Sequence, residues 1–179
     1  MLFRSSAAED SANTTAASLG LSGLTYGKGG GSDESSQTLT VKITAIPSFV
    51  TLWNGTTQVN VNDTLSVAAL QGLTYKTVAD ANGTGTITWT VTDDGTTNGS
   101  SDPKSVSDSL SITVTEVNDA PTRTSAAPSA VSAAEDSANT TAASLGLSGL
   151  TYGKGGGADE SSQTLTVKIT AIPSFVTLW

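Results

Sequence analysis

The sequence of 179 residues contains no cysteine and no histidine. Without them it has no disulfide, no thiolate ligand for zinc, no thiol redox chemistry, and no usual base for a serine or cysteine nucleophile. Catalysis is therefore not expected. Basic residues are also scarce, 8 Lys and Arg against 16 Asp and Glu, a net charge of −8. Such a surface cannot neutralise phosphates, so a nucleic-acid partner is not expected either. Long apolar runs are missing: no stretch approaches the roughly 18 apolar residues of a membrane span. The opening MLFRSSAAED lacks the apolar stretch of a signal peptide. What the chain has in quantity is Thr, Ser, Gly, Ala and Val, the composition of an all-β protein with many turns. Its carboxylates suit a hard cation such as calcium.

Alternation of apolar and hydroxyl-bearing residues marks the strands. Gln37 to Ile46 places Leu39, Val41, Ile43 and Ala45 on one face, and Pro47 ends the run. Phe49 to Trp53 is a short apolar run stopped by the turn dipeptide Asn54-Gly55. Thr57 to Val61 reads as a short strand, and Leu65 to Leu70 as a strand or one helical turn. Thr86 to Thr92 turns Ile87, Trp89 and Val91 inward and meets Asp93-Asp94-Gly95, a turn. Ser109 to Thr115 is the last strand, and Ala16 to Tyr26 holds one or two weak ones. LSGLTY at Leu21 to Tyr26 recurs as LQGLTY at Leu70 to Tyr75, which predicts two similar corners. About seven short strands in a unit of this size point to a β-sandwich.

A longer repeat organises the chain. Residues 7–53 recur as residues 133–179, 126 positions later, with Ser32 against Ala158 as the one difference in 47 positions. Near-identity over that length predicts recent duplication and a tandem array. The second copy has no counterpart of Asn54 to Thr115 within the sequence. The expected organisation is a complete repeat over 6–119, a linker over 120–132, and an incomplete N-terminal part of a second repeat over 133–179. An internal piece of a much longer protein would read this way.

The end of the first copy carries the most specific motif. Ile112 and Val114 alternate with Ser111, Thr113 and Thr115, and the strand then runs into Glu116-Val117-Asn118-Asp119-Ala120-Pro121. Upstream lies TITWTVTDDG, and each copy opens with an acidic pair, Glu9-Asp10 and Glu135-Asp136. This pattern resembles the cadherin-like and VCBS-type tandem repeats of giant bacterial surface proteins, and the likeness spans essentially the whole chain. It implies immunoglobulin- and cadherin-like Greek-key β-sandwiches in tandem, the second truncated, with calcium at the repeat junctions. By that resemblance the linker ligands are Glu116, Asn118 and Asp119. Glu9 matches the family's early glutamate, and Asp80 sits roughly where its Asp-Arg-Glu lies. The pair Asp159-Glu160 stands for the Asp-x-Asp at the top of the next repeat. Glu replaces the family's Asp at the start of the linker, and Ala120 replaces its final Asn.

Other readings of these residues stay open. Asn and Asp also form turns, and Pro ends strands without any ion. Lys28-Gly29-Gly30-Gly31 lacks the Gly-Lys-Ser/Thr ending of a phosphate loop and reads as a flexible hairpin loop. Trp89 alternates with Ile87 and Val91, so it belongs in the core, whereas Trp53 could offer a sugar-stacking face. The expected function is a non-catalytic structural spacer and adhesion repeat, extracellular or on a bacterial surface. Its expected partners are neighbouring repeats, and cell-surface or extracellular glycans or proteins. The alternative is a carbohydrate-binding or accessory module of an extracellular enzyme.

Overall fold

The structure, a computed structural model, describes residues 3–12, 15–135 and 142–179. Asp136, the second member of the second acidic pair, lies outside them. The chain divides into two compact units, Met1–Val117 and Asn118–Trp179. It is mostly strand and turn, an all-β chain.

In the first unit, two sheets share one apolar core. The first sheet has the order β1-β11-β8-β3-β6, from Phe3–Ala8 (β1), Thr40–Ala45 (β3), Thr64–Ser66 (β6), Gly83–Thr92 (β8) and Ser105–Thr115 (β11). The second has the order β2-β7-β4-β5, from Ala17–Ser18 (β2), Val50–Asn54 (β4), Thr57–Val59 (β5) and Thr74–Thr77 (β7). A small hairpin, Thr96–Thr97 (β9) with Ser100–Ser101 (β10), turns at Asn98-Gly99. Both turn residues have positive φ, 51° and 78°, the conformation that Asn-Gly adopts most readily in a tight hairpin.

Period-two alternation decides which side chains meet in the core. Val41 and Ile43 of β3 face Val91 and Trp89 of β8 in register, and all four are buried. On β11, Leu110, Ile112 and Val114 are buried. Leu52 of β4 and Tyr75 of β7 close the core from the other sheet. Trp89 is fully buried, and its indole N–H donates to the Tyr26 hydroxyl at 2.6 Å, so its one polar atom is satisfied. The Tyr26 hydroxyl in turn donates to Asp108 Oδ2 at 3.0 Å. On the outward face of the first sheet, hydroxyls pair across strands: Thr44 with Thr88, Thr90 with Ser107, and Thr92 with Ser105. The threonine-rich faces bind themselves.

The ambiguous stretch Leu65 to Leu70 is both things in turn. Thr64–Ser66 is strand, and Val67–Gln71 is a short helix, α1, capped by the Ser66 hydroxyl accepting from the Ala69 amide at 3.1 Å. The two LxGLTY segments do make similar corners. Leu24 N donates to Leu21 O, and Leu73 N to Leu70 O. The two are tied by Gln71 Nε2 donating to Leu24 O at 2.6 Å. The parallel pairing of β1 with β11, Ala7 against Val114 and Ala8 against Thr115, has no signature in the sequence.

The second unit contains Thr122–Arg123 (β12) paired with Tyr152–Gly153 (β13), and a 3-10 turn over Asp159–Ser162. Residues 166–171 are identical to β3 yet are not strand. Val167 and Ile169 are 76% and 59% exposed, where Val41 and Ile43 are each at 0%.

Candidate acidic sites

Each unit gathers its own acidic residues. In the first, Glu9 follows directly on β1, and its backbone N–H donates to Thr115 O at 2.8 Å, continuing the pairing with β11. That contact turns the side chain inward, where it is 2% exposed. Its Oε1 accepts from Val117 N at 2.6 Å and its Oε2 from Asn82 Nδ2 at 3.2 Å. Charge-assisted bonds of this kind anchor the end of β11. Each oxygen keeps a further lone pair. Beside it, Asp10 has a positive φ of 60° and Asp80 one of 56°. Asp10 Oδ1 accepts from Asp80 N at 3.3 Å, and the two carboxylates come within 4.8 Å of each other. Asn82 and Asp10 were not among the residues expected to form a site. Only the ED pair pointed toward Asp10.

In the second unit, the linker residues meet the 3-10 turn. Glu160 Oε1 accepts from Asp119 N at 3.0 Å, and Asn118 Oδ1 accepts from Gln163 Nε2 at 2.9 Å. Two of the expected ligands therefore meet, Asp119 and Glu160, with Asn118 next to Asp119 and Asp159 next to Glu160 in the turn. Glu160 is 2% exposed. Among the described residues, Asp119 Oδ2, Asp159 Oδ1 and Glu160 Oε2 are buried atoms without a hydrogen-bond partner. A buried carboxylate oxygen left in that state costs several kcal/mol unless a cation or proton compensates it. Gly155 makes room for the approach: at its φ of 119°, an added Cβ would sit 2.8 Å from Asp119 Cβ. Gln163 was not foreseen either. Glu116 is exposed at the end of β11.

The first copy serves as an internal control for this cluster. Its 3-10 turn, Asp33–Ser36, has the same DESS sequence and the same lysine contact, Lys28 Nζ to Ser35 O, matching Lys154 Nζ to Ser161 O. There, Asp33 is exposed and Glu34 only half-buried. The space over Gly29, the counterpart of Gly155, is taken by Glu34's own carboxylate, 2.7 Å from the site of an added Cβ. In the second copy the Asn-Asp segment lies against the acidic turn, and Glu160 is buried where Glu34 is not.

Trp53, the candidate sugar platform, is half-buried. Its Nε1 donates to Thr51 Oγ1 at 3.0 Å, and Lys76 Nζ lies 4.8 Å from its ring centroid. One ring face is thus covered by a cation. Among the described residues no helix is long and apolar enough to cross a membrane. Comparison with protein-family models, with curated proteins and with solved structures finds no match to this chain.

Proposed function

We propose that the chain is a stretch of a tandem array of cadherin-like, Greek-key β-sandwich repeats. The array acts as a non-catalytic spacer and adhesion segment of a large secreted or surface-attached bacterial protein. Calcium bound by the Asn-Asp linker stiffens it. The duplication of 47 residues supports the array. The observation that carries the metal reading is the contact of Asp119 with Glu160, where Asp119 Oδ2, Glu160 Oε2 and Oδ1 of the adjoining Asp159 are each buried without a hydrogen-bond partner among the described residues.

The donor set fits the ion. Calcium takes six to eight hard oxygen ligands at about 2.3–2.6 Å in irregular geometry. Carboxylates from a linker and from the turn it rests on supply such oxygens without a preformed cage. Asp119, Asp159 and Glu160 would hold the ion, and the amide oxygen of Asn118 stands beside them. When bound, calcium supplies positive charge that offsets mutual repulsion. The chain's part is to bring linker and turn together, through the Gln163 side-chain amide donating to Asn118 and the Asp119 backbone N–H donating to Glu160, and to shield the carboxylates from water.

Calorimetric titration of the full chain with calcium tests the reading. Expected is one weak site, with a Kd on the order of 10⁻⁴–10⁻³ M as in extracellular modules. Asp119→Ala and Glu160→Gln should abolish it, while Glu34→Gln in the first copy should leave it intact. Calcium heat that survives Asp119→Ala, or no heat at millimolar calcium, overturns the proposal.

A further inference from the structure

The outward face of the first sheet carries only positive charge, in a chain of net charge −8. Period two turns the odd-numbered residues of β11 and the even-numbered residues of β3, β6 and β8 away from the core. Every one of them is Ser or Thr except Lys42. β1 adds Arg4, Ser6 and Ala8, in register with Ser111, Thr113 and Thr115. The sequence has 16 acidic residues, and no outward position of this five-stranded sheet holds one.

Register gathers one part of the face around Arg4. Arg4 lies beside Ser111 and Ser111 beside Thr86, while Ser6 lies beside Thr113 and Thr113 beside Thr84. Arg4, Ser5, Ser6, Thr84, Ser111 and Thr113 line an open concavity of about 440 Å³, within the usual size of a small-molecule site. Further along the sheet the hydroxyls occupy one another, as Thr90 with Ser107 and Thr92 with Ser105. In the concavity Thr84 and Thr113 pair at 3.1 Å. The hydroxyls of Ser6, Ser111 and the neighbouring Thr86 make no hydrogen bond among the described residues, and Arg4 forms no ion pair there.

We propose that this concavity binds a carboxylate-bearing sugar of the hexuronic acid class. A guanidinium is always charged, and its N–H groups form a fork that matches the two oxygens of a carboxylate. A hydroxyl both donates and accepts, so the unoccupied Ser and Thr groups can pair with ring hydroxyls of either orientation. The lining is guanidinium and hydroxyl, with no aromatic ring or aliphatic hydrocarbon side chain to hold an apolar ligand. No carboxylate on the face repels the sugar's own. The inference stands on this sheet face and is independent of calcium and of the array.

Titration of the isotope-labelled full chain with glucuronate, followed by amide chemical shifts at neutral pH, tests it. Expected are saturating shifts at Arg4, Ser6, Ser111 and Thr113. Glucose has the ring without the carboxylate and acetate the carboxylate without the ring, so each should bind at least about tenfold more weakly. Arg4→Ala removes a charge-assisted pair and should lower glucuronate affinity by about 10–100-fold. Arg4→Gln keeps a long polar side chain without the charge and should lose the same factor, which decides the matter if Arg4→Ala disturbs the strand. Lys42→Ala, on the same face but in register with Thr90, should leave binding unchanged. The proposal is overturned if glucuronate gives no saturating shift at these amides, or if acetate or glucose binds as tightly. It is equally overturned if Arg4→Gln binds like the parent, or if Lys42→Ala weakens binding as much as Arg4→Gln, the mark of diffuse attraction to positive charge.

Discussion

Residues 7–53 and 133–179 are nearly the same peptide in two settings. Among the described residues, many of their short-range features are the same in both. Leu24 N donates to Leu21 O as Leu150 N does to Leu147 O, Val50 N to Pro47 O as Val176 N to Pro173 O, and both DESS segments form a 3-10 turn. Their long-range features differ. TVKITA is an inner strand in the first copy and unpaired chain in the second. Turns close bonds within three or four residues and need nothing else. A strand needs neighbours for its backbone and an opposing layer for its side chains. The difference separates what a peptide does alone from what it does in company.

Core deletions should sharpen that contrast most. Trp89→Ala empties a fully buried position and should cost about 3–5 kcal/mol in urea unfolding. Ile169→Ala, at an exposed position of the second copy, should fall within about 0.5 kcal/mol of the parent. Equal losses would erase the distinction between the copies. The acidic residues give a smaller contrast. Glu9→Ala strands the Val117 amide and the Asn82 side chain and should cost about 1–3 kcal/mol. Its exposed counterpart Glu135→Ala should be neutral by the same measurement.

The smallest expected effect concerns alkali. Burial, reinforced by Asp108 and partly opposed by the Trp89 N–H, pushes the Tyr26 hydroxyl up to about 12 from an ordinary 10.0. A raised acid binds its proton more tightly in the folded state, so its contribution is intact below pH 10 and is lost as pH rises toward 12. Melting temperature across that window should fall less steeply for Tyr26→Phe than for the parent, relative to their values at pH 8. An identical slope for the two proteins would deny Tyr26 this role.

The sequence made the inner strands legible because their partners are also strands of strict alternation. Val41, Ile43, Ile87, Trp89, Val91, Leu110, Ile112 and Val114 are all buried as the pattern requires. β1 was illegible. FRSSAA has little apolar character and takes its shape from the edge of β11. The linker acids were legible as a motif, and of them Asp119 meets Glu160 while Glu116 is exposed. Gln163 and Asn82 were not, because an amide that positions a carboxylate has no sequence period or spacing to betray it. Asp10 and Asp80 lie 70 residues apart, and only the return of the chain before β8 makes them neighbours.

The parallel edge pair, β1 against β11, also sets how the first unit answers a pull. Tension applied through the chain draws β1 backward from Phe3 and β11 forward past Thr115. The strands run side by side in the same direction, so the load slides one along the other. All six register pairs from Phe3 with Leu110 to Ala8 with Thr115 share it at once, where an antiparallel hairpin would open one bond at a time. Glu9, bonded to Val117 just beyond the last pair, lies on the same line of force. A unit that hangs by its edge in shear gives way late and abruptly, the behaviour of a rope more than of a zipper.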